Sequence, residues 1–456
     1  MSEMEIESEE RIIVIVGLGG TGLSCAKYFA SLGEKFKIVD SRKNPPGLLE
    51  LKQLMPDVEC ELGEFSAQTF LQAKQLIVSP GVSVQTKEIV AAQSAGVPIT
   101  GDIDIFSKRV GAPIIAVTGS NGKSTVVAIL AEILKKAGIN FGLGGNLDGE
   151  NFKPALDFLN EEKKDLYVLE LSSFQLETTE NLGAEVVSIL NLSEDHMDRY
   201  DSLEEYHQAK QRIFMGCKKL VINRDEQYSY PSSELNVPVL DFGFSRPGIN
   251  GFGLLDDGGD QYLTYQYEKI VSVTELKVFG RHDISNVLAA IALATAVGVN
   301  LKYIKSAITE FSGLPHRCQW VVNIAGVEFY NDSKGTNVGA TVAAIEGLGQ
   351  RIEGHIILIA GGVGKGADFS PLVPAINKWG KEVVLIGEDA EKIAAYFDSD
   401  TKIYFANDMQ DAVTISLQHA VAGDVVLLSP ACASFDMFDN FQHRGYSFIQ
   451  SVEMLQ

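Results

Sequence analysis

The chain contains little sulfur. It has five cysteines among 456 residues, an odd number, and no two of them form a C-x-x-C pair. A disulfide framework or a structural zinc site needs paired or clustered cysteines, so neither supports this fold. The same scarcity is typical of a reducing compartment, and we predict a cytoplasmic location. Cys432, in the sequence SPACAS, is interpreted as a buried thiol rather than a nucleophile.

Basic residues are also scarce. Lys and Arg number 38 against 60 Asp and Glu, and the formal net charge is -22. Nucleic acids and membrane surfaces both require a basic footprint, so we expect neither as a partner. The acidic start MSEMEIESEE is the opposite of a signal peptide. The one long uncharged run, residues 284–301, is rich in alanine and contains four polar residues, which favours a packed helix over a membrane span.

Apolar β-branched runs alternate with helical patterns along almost the whole chain. This alternation predicts an α/β fold in which helices cover parallel sheets. We predict a Rossmann-like first domain over residues 1–110, a central ATP-binding domain with a phosphate loop over residues 111–313, and a Rossmann-like C-terminal domain over residues 314–456. Residues 242–278 of the central domain, rich in Gly and Asp, have an antiparallel pattern. We expect a monomer that binds small molecules.

The segment TGSNGKST, residues 118–125, is the most informative one. It lies between a buried strand pattern and an amphipathic helix pattern. Backbone N–H groups, the helix N-terminus and one lysine supply the positive potential that a triphosphate needs, and a hydroxyl can hold Mg2+. Val117 replaces the first glycine of G-x-x-x-x-G-K-[ST], but the context still predicts phosphate binding. The residues concerned are Gly119, Asn121, Gly122, Lys123, Ser124 and Thr125.

A second glycine-rich turn, GLGGTG, occupies residues 17–22. It satisfies G-x-G-x-x-G, and Asp40 ends the next strand, an arrangement that binds the diphosphate and ribose of NAD. A uridine diphosphate sugar has the same two groups, so the turn leaves both an NAD-dependent oxidoreductase and a uridine nucleotide site open. Ser79 and Gly81 end a later strand of the same sheet and are expected to face the same crevice.

Polar side chains also follow strands of the other two units. Glu170 and His196 come after neighbouring strands of the central unit and would meet a Mg2+ at the phosphate loop. Lys210 lies on a predicted helix, where spacing alone indicates an exposed lysine. In the last unit, three loops form a polar rim on which Lys334 and Lys365 could bind carboxylate or phosphate.

Together these motifs resemble the Mur ligases. The matching segments, in order, are TGSNGKST, LELSSFQLE, EDHMDRY, YHQAKQRIF, GLPHR, NDSKGTN, GGVGKGADF and SPACASFDMF. The resemblance implies an ATP-dependent ligase of peptidoglycan precursor synthesis that adds D-glutamate to UDP-N-acetylmuramoyl-L-alanine through an acyl phosphate. It implies a uridine nucleotide, not NAD, in the first domain, and ATP with two magnesium ions in the second. A Mur-type ligase for another amino acid, the oxidoreductase and a nucleotide-driven switch are the alternatives.

The resemblance also implies roles for individual residues. The uridine diphosphate substrate is matched by Gly20, Thr21, Asp40, Ser41, Arg42, Ser79, Gly81 and Asn146. Adenine, phosphate and ribose are matched by Asn286, Arg317 and Asp332, and D-glutamate by Lys334, Thr336, Lys365, Ser434 and Phe441. Magnesium is matched by Ser124, Glu170 and His196, with Lys210 carbamylated by CO2 so that it supports the second ion. Asp283 and Phe435 depart from the family pattern, where Asn and Leu occur.

Overall fold

The computed structural model describes residues 11–147, 153–278 and 280–455. It contains three sheets that follow one another along the chain, each flanked by helices, which confirms the predicted α/β fold class. In these ranges no helix combines the length and the apolar character that crossing a bilayer requires.

The first unit has a parallel sheet in the order β3-β2-β1-β4-β5. Strand β1 is buried along its whole length and pairs with β2 on one side and β4 on the other. The chain therefore changes direction across the sheet at β1, and a crevice opens at the carboxyl ends of β1 and β4. The strands are β1 (Ile13–Val16), β2 (Phe36–Asp40), β3 (Cys60–Leu62), β4 (Gln75–Val78) and β5 (Ile99–Thr100), and the helices are α1 (Gly20–Ser31), α2 (Leu48–Leu54), α3 (Ala67–Leu71), α4 (Lys87–Ser94) and α5 (Asp102–Ser107).

The central unit has nine strands in the order β14-β13-β12-β11-β10-β9-β6-β8-β7. Strands β12 to β14 pair antiparallel, as the Gly- and Asp-rich pattern predicts, and the rest pair parallel. The strands are β6 (Ile114–Thr118), β7 (Phe141–Gly145), β8 (Leu166–Glu170), β9 (Val186–Ile189), β10 (Leu220–Asn223), β11 (Val239–Phe242), β12 (Gly251–Asp257), β13 (Asp260–Tyr265) and β14 (Glu268–Ser272).

The helices of the central unit are α6 (Lys123–Lys136), α7 (Ser173–Glu177), α8 (Leu203–Gln211), α9 (Arg281–Ala296) and α10 (Leu301–Glu310). The uncharged run over residues 284–301 is thus not a single helix. Helix α9 ends at Ala296, and Gly298 adopts a left-handed φ of 85° before α10 begins. Most of α9 is buried because its alanine-rich surface packs within the core of the unit.

The third unit has six strands in the order β15-β16-β20-β17-β18-β19, of which only β15 pairs antiparallel. The strands are β15 (Gln319–Ile324), β16 (Val327–Asn331), β17 (Ile356–Gly361), β18 (Gly380–Ile386), β19 (Lys402–Phe405) and β20 (Val425–Leu428), and the helices are α11 (Val338–Gly349), α12 (Leu372–Trp379), α13 (Ala390–Ala394), α14 (Met409–His419) and α15 (Phe441–Glu453).

The hydrophobic cores attach the units differently. Along β6, Ile115 and Val117 face the core beneath α6 and α9. Ile114 and Ala116 face the opposite core, which is shared with residues of the first unit such as Ile15. The two core clusters of the third unit contain only its own buried residues. The first unit is therefore joined to the central unit by apolar packing, whereas the core clusters of the third unit do not extend into the central unit.

Candidate active site

The phosphate loop connects β6 to α6. Gly122 caps α6 with a φ of 83°, and a Cβ at this position would lie 2.3 Å from the Asn286 side-chain oxygen. Only glycine fits here, and α9 thereby touches the loop. Lys123 Nζ donates to the carbonyls of Gly119 at 2.8 Å and Ser120 at 2.9 Å. Burial lowers the pKa of Lys123, with Glu170 opposing the shift.

Glu170 ends β8 next to the loop and is buried. Its Oε1 accepts from Asn146 Nδ2 at 3.2 Å. Its Oε2 is buried and has no hydrogen-bond partner in the part of the chain that the structure describes. A buried carboxylate oxygen without a donor is costly unless a cation binds it. Asn146, which the resemblance assigns to the uridine substrate, thus contacts Glu170.

Lys210 is buried, with only 1% of the residue exposed, so the prediction of an exposed lysine from spacing alone is wrong. Its Nζ donates to Gly119 O at 2.9 Å and lies 4.4 Å from the centre of the Tyr206 ring. Tyr206 lies one helical turn earlier, so both side chains share the inner face of α8. Burial, aided by the charge of Lys123, lowers the pKa of Lys210 well below its usual value. The side chain of Lys210 can therefore lose its proton and become a neutral amine, the form that reacts with CO2.

His196 follows β9 in a left-handed conformation, with a φ of 59°. Its ring contacts Phe174, with 4.7 Å between ring centres, and its Nε2 lies 3.7 Å from Asp195. Burial lowers the pKa of His196 to about 4, although Asp195 opposes the shift. The imidazole is therefore neutral at neutral pH, which suits a metal ligand better than an acid.

Asp195 connects the central unit to the third unit. Its Oδ1 accepts from Lys365 Nζ at 3.0 Å, and its Oδ2 accepts from Asn337 Nδ2 at 3.4 Å. Asn337 also donates to Asn121 of the phosphate loop at 3.0 Å. Lys365, which resemblance assigns to D-glutamate, is thus paired with an aspartate of the protein. Asp195 and Asn337 were not singled out from the sequence, although they lie in EDHMDRY and NDSKGTN.

A cavity of about 380 Å³ lies between the phosphate loop, α9 and α11. It brings together Asn286, Arg317 and Asp332, the three residues matched to adenine, phosphate and ribose, and Lys334 also lines it. Burial raises the pKa of Asp332 to about 6, although a hydrogen bond from Ser429 Oγ opposes the shift. Four further lining residues carry a charge or an aromatic ring and were not singled out from the sequence: Phe244, Arg281, His282 and Glu346. Asp283, which departs from the family pattern, also lines the cavity.

The first-unit residues surround the turn after β1. Asp40 is buried and accepts from Leu18 N at 2.7 Å and from the Arg42 guanidinium, also at 2.7 Å. Burial works to raise the pKa of Asp40, but the bonds from Arg42 and Leu18 outweigh it and lower the pKa. Its carboxylate therefore orders the turn whether or not it contacts a ribose. Ser79 Oγ donates to Gly17 O at 3.1 Å. Gly20 and Thr21, at the start of α1, are exposed and half-buried, and Ser41, which follows β2, is exposed.

Arg444 holds the loops of the third unit in place, and the sequence did not indicate it. Its buried guanidinium donates to Ser333 O at 2.8 Å and Cys432 O at 3.1 Å, and burial lowers its pKa to about 10. Burial raises the pKa of the Cys432 thiol to about 12, which makes it a poor nucleophile. Of the residues assigned to D-glutamate, Lys334 Nζ lies 4.0 Å from the Phe441 ring centre, and Thr336 and Ser434 lie in the two loops that Arg444 joins, where Phe435 is 74% exposed.

Sequence models of three consecutive domains match the chain. They are the Mur ligase MurD-like N-terminal domain at residues 11–101, the Mur ligase middle domain at residues 117–294 and the Mur ligase glutamate ligase domain at residues 316–432. The UDP-N-acetylmuramoylalanine--D-glutamate ligase of Pseudomonas aeruginosa PAO1 is 46% identical over 452 residues, 99% of this chain and 100% of the relative. The chain belongs to the Mur ligase family. The recognised family and the prediction of a ligase are thereby confirmed.

Other Mur ligases extend the comparison. The UDP-N-acetylmuramoylalanine--D-glutamate ligase of Nitrosococcus oceani is 48% identical over 439 residues, 96% of both chains. The structure of the UDP-N-acetylmuramate-alanine ligase MurC from Thermotoga maritima covers 98% of this chain and 100% of its own, with a TM-score of 0.62 and 20% identity. At that identity the likeness shows the fold alone.

Mur ligases use ATP and Mg2+, and the residues present fit a magnesium ion. The decisive feature is the buried Oε2 of Glu170, for which the described residues provide no donor. No group of three or more His, Cys, Asp or Glu side chains forms a ready-made metal site within residues 11–147, 153–278 and 280–455. Because Mg2+ is commonly held by one or two carboxylates together with phosphate and water, a protein cage is not required.

Proposed function

We propose that this Mur ligase joins D-glutamate to UDP-N-acetylmuramoyl-L-alanine, with conversion of ATP to ADP and phosphate. The observation that carries the proposal is the 46% identity, over the whole chain, to relatives named UDP-N-acetylmuramoylalanine--D-glutamate ligase. The placement of Lys123, Glu170 and Lys210 around one phosphate loop is consistent with it. The first domain, residues 1–110, holds the uridine nucleotide, residues 111–313 bind ATP, and residues 314–456 bring in D-glutamate.

The first step activates a carboxylate. A carboxylate is a poor electrophile, so the alanyl carboxylate attacks the γ-phosphorus of ATP, releases ADP and becomes an acyl phosphate. Lys123 and the backbone N–H groups of the loop neutralise charge on the transferred group. Magnesium, held by Ser124, Glu170 and His196, supplies electrostatic stabilisation of that charge when bound.

Lys210 provides the second carboxylate of the site. Its neutral amine adds to CO2 and loses one proton, and the carbamate that forms is an anion that supports a second Mg2+. Burial makes the neutral amine accessible, which is the requirement for this reaction. The carbamate also places an anion, instead of an amine, near Lys123.

The second step forms the amide. The D-glutamate amine attacks the acyl carbon, and the tetrahedral intermediate loses phosphate and a proton. Lys334, Thr336, Lys365, Ser434 and Phe441 hold D-glutamate, while Asn286, Arg317 and Asp332 hold the nucleotide. The uridine substrate is bound by Gly20, Thr21, Asp40, Ser41, Arg42, Ser79, Gly81 and Asn146. We further propose that the enzyme acts as a monomer in the cytoplasm.

ADP release tests the function directly. Continuous ADP release, beyond a single turnover, should require both UDP-N-acetylmuramoyl-L-alanine and D-glutamate, with no change in nicotinamide absorbance, and L-glutamate serves as the control amine. With hydroxylamine in place of D-glutamate, an acyl phosphate should yield a hydroxamate. ADP release without the uridine substrate, or release that any amino acid supports equally, would contradict the proposal.

A further inference from the structure

Arg199 of the central unit reaches across the boundary to the first unit. Its Nη1 donates to Pro80 O at 2.7 Å and its Nη2 to Val82 O at 3.2 Å. Both carbonyls belong to the tight turn that follows β4, which is closed by a bond from Val82 N to Ser79 O. One side chain thus grips two peptide groups of the turn that carries Ser79 and Gly81.

The two hydrogen bonds from Arg199 fix the direction in which the Gly81 N–H points. The described residues contain no cis peptide bond, so the N–H of Gly81 points opposite to the Pro80 carbonyl within the same peptide plane. Because that carbonyl points at Arg199, the Gly81 N–H points away from it. A Cβ at Gly81 would meet no heavy atom within 4 Å, so the residue borders open space. A backbone N–H at an open glycine is suited to an anionic oxygen.

Arg199 is itself held in one orientation. Its Nη2 donates to Glu177 Oε2 at 2.5 Å, and Tyr200 donates to the other oxygen of Glu177, also at 2.5 Å. The guanidinium stacks 4.0 Å from the centre of the Phe174 ring. Phe174 is the ring that contacts His196, and Arg199 N donates to His196 O at 2.9 Å. The turn of the first unit is therefore connected through Arg199 to the residues around the proposed magnesium site.

We propose that Arg199 is a positioning residue for the uridine diphosphate substrate. It orients the Gly81 N–H toward the diphosphate and sets the distance between that end of the substrate and the phosphate loop. The inference rests on the proposed function for the identity of the substrate. Arg199 does not contact the reacting atoms, so it acts on binding and alignment of one substrate and leaves the ATP site unchanged.

Steady-state kinetics of the full-length enzyme separate this role from a general structural one. We expect Arg199→Ala to raise KM for UDP-N-acetylmuramoyl-L-alanine about tenfold, because charge-assisted bonds that hold the turn are lost. KM for ATP should change by less than about twofold. The KM of Arg199→Lys for this substrate should lie between those of the parent and Arg199→Ala, because one ammonium can reach one carbonyl but lacks the planar fork of the guanidinium. Added guanidinium should lower the raised KM of Arg199→Ala.

Lys108→Ala is the matched control. Lys108 also crosses to the central unit, through an ion pair with Glu180 at 3.4 Å, but it does not touch the turn. The Lys108→Ala variant should leave KM for the uridine substrate and KM for ATP unchanged. Glu177→Gln keeps Arg199 and weakens its anchor, so it should raise KM for the uridine substrate alone and serves if Arg199→Ala folds poorly.

Calorimetric titration with UDP-N-acetylmuramoyl-L-alanine distinguishes the two ways to fail. If the parent enzyme does not bind this compound, the proposed function is wrong. If the parent binds it and the Arg199 and Glu177 variants bind it equally well, or if KM for ATP rises in parallel, Arg199 is a structural residue and the inference is overturned.

Discussion

Lys365 and Asp195 form an ion pair between the third and central units, with 3.0 Å from Nζ to Oδ1. Burial works to raise the pKa of Asp195, but the charge and hydrogen bond of Lys365, together with the other nearby basic groups, outweigh it and lower the pKa. Since the two cores of the third unit are its own, this pair is among the polar contacts that hold the third unit against the central unit.

Asp195→Asn should therefore open the ligand-free enzyme. We expect a larger radius of gyration in X-ray scattering than for the parent, and a return to the compact value when an ATP analogue and both substrates are added. Lys392→Met is the control, because Lys392 pairs with Asp389 inside the third unit. Identical scattering of Asp195→Asn and the parent at low salt would contradict the role of the pair.

Lys210→Ala should fold but turn over at least about 100-fold more slowly, as expected when a group that supports a bound metal is removed. Small carboxylic acids such as acetate should enter the vacated space and restore activity in proportion to their concentration, whereas chloride should not. Lys218→Ala is the matched control, because Lys218 is an exposed lysine nearby in the chain. Normal turnover of Lys210→Ala in CO2-depleted buffer would refute carbamylation.

Glu170→Gln should change the magnesium requirement. The substitution replaces one carboxylate oxygen with an amide nitrogen that repels a cation, so half-maximal ADP formation should need at least about tenfold more Mg2+. Without Mg2+ the variant should be no less stable than the parent, because it removes a buried carboxylate oxygen that lacks a partner. Urea unfolding with and without Mg2+ measures this, and an unchanged Mg2+ dependence would exclude Glu170 as a ligand.

Asp102 should make the stability of the protein depend on pH. It begins α5, its Oδ1 is buried without a hydrogen-bond partner among the described atoms, and burial raises its pKa to about 6 from 3.8. The folded state binds this proton more tightly than the unfolded state. The resulting stability is complete below about pH 4 and is lost as the pH rises through 6.

The Asp102→Asn variant carries an amide at this position, which does not titrate. The free energy of unfolding of the variant minus that of the parent should therefore rise by about 1–3 kcal/mol between pH 4 and pH 7. Urea unfolding at both pH values gives the difference, and the comparison is independent of any constant cost of the amide. Glu34→Gln, at an exposed carboxylate of the same unit, should show no such rise. A difference that does not vary with pH would contradict a raised pKa.

The sequence predicted the buried strands well, because apolar β-branched runs such as Gln75–Val78 and Val425–Leu428 carry their own signal. Strand β7, FGLGG, was not predicted, because glycine has low strand propensity. It forms because the Phe158 and Tyr167 rings occupy the space beside it: a Cβ at Gly142 would lie 2.4 Å from Tyr167, and one at Gly144 would lie 2.7 Å from Phe158.

Site residues were predictable where a local pattern identifies them. The phosphate loop has such a pattern, and so does the turn before Asp40. Lys210 does not, because its burial depends on the carbonyl of Gly119, 91 residues earlier in the chain. Arg444 also lacks a local pattern, since its partners are peptide groups of two separate loops and one of them, Ser333, lies 111 residues earlier in the chain. Contacts between distant segments decide these positions, and spacing within one helix cannot show them.

The concentration of Lys123, Lys334, Lys365 and Arg317 around one cleft has a consequence for an enzyme of net charge -22. ATP, a uridine diphosphate sugar and D-glutamate are all anions, so the molecule as a whole repels each of them at long range and attracts them only within the cleft. Dissolved salt screens charges separated by more than about 8 Å at physiological ionic strength and affects buried ones much less. Ionic strength therefore acts on the approach of the substrates more than on their retention, and moderate salt favours their capture.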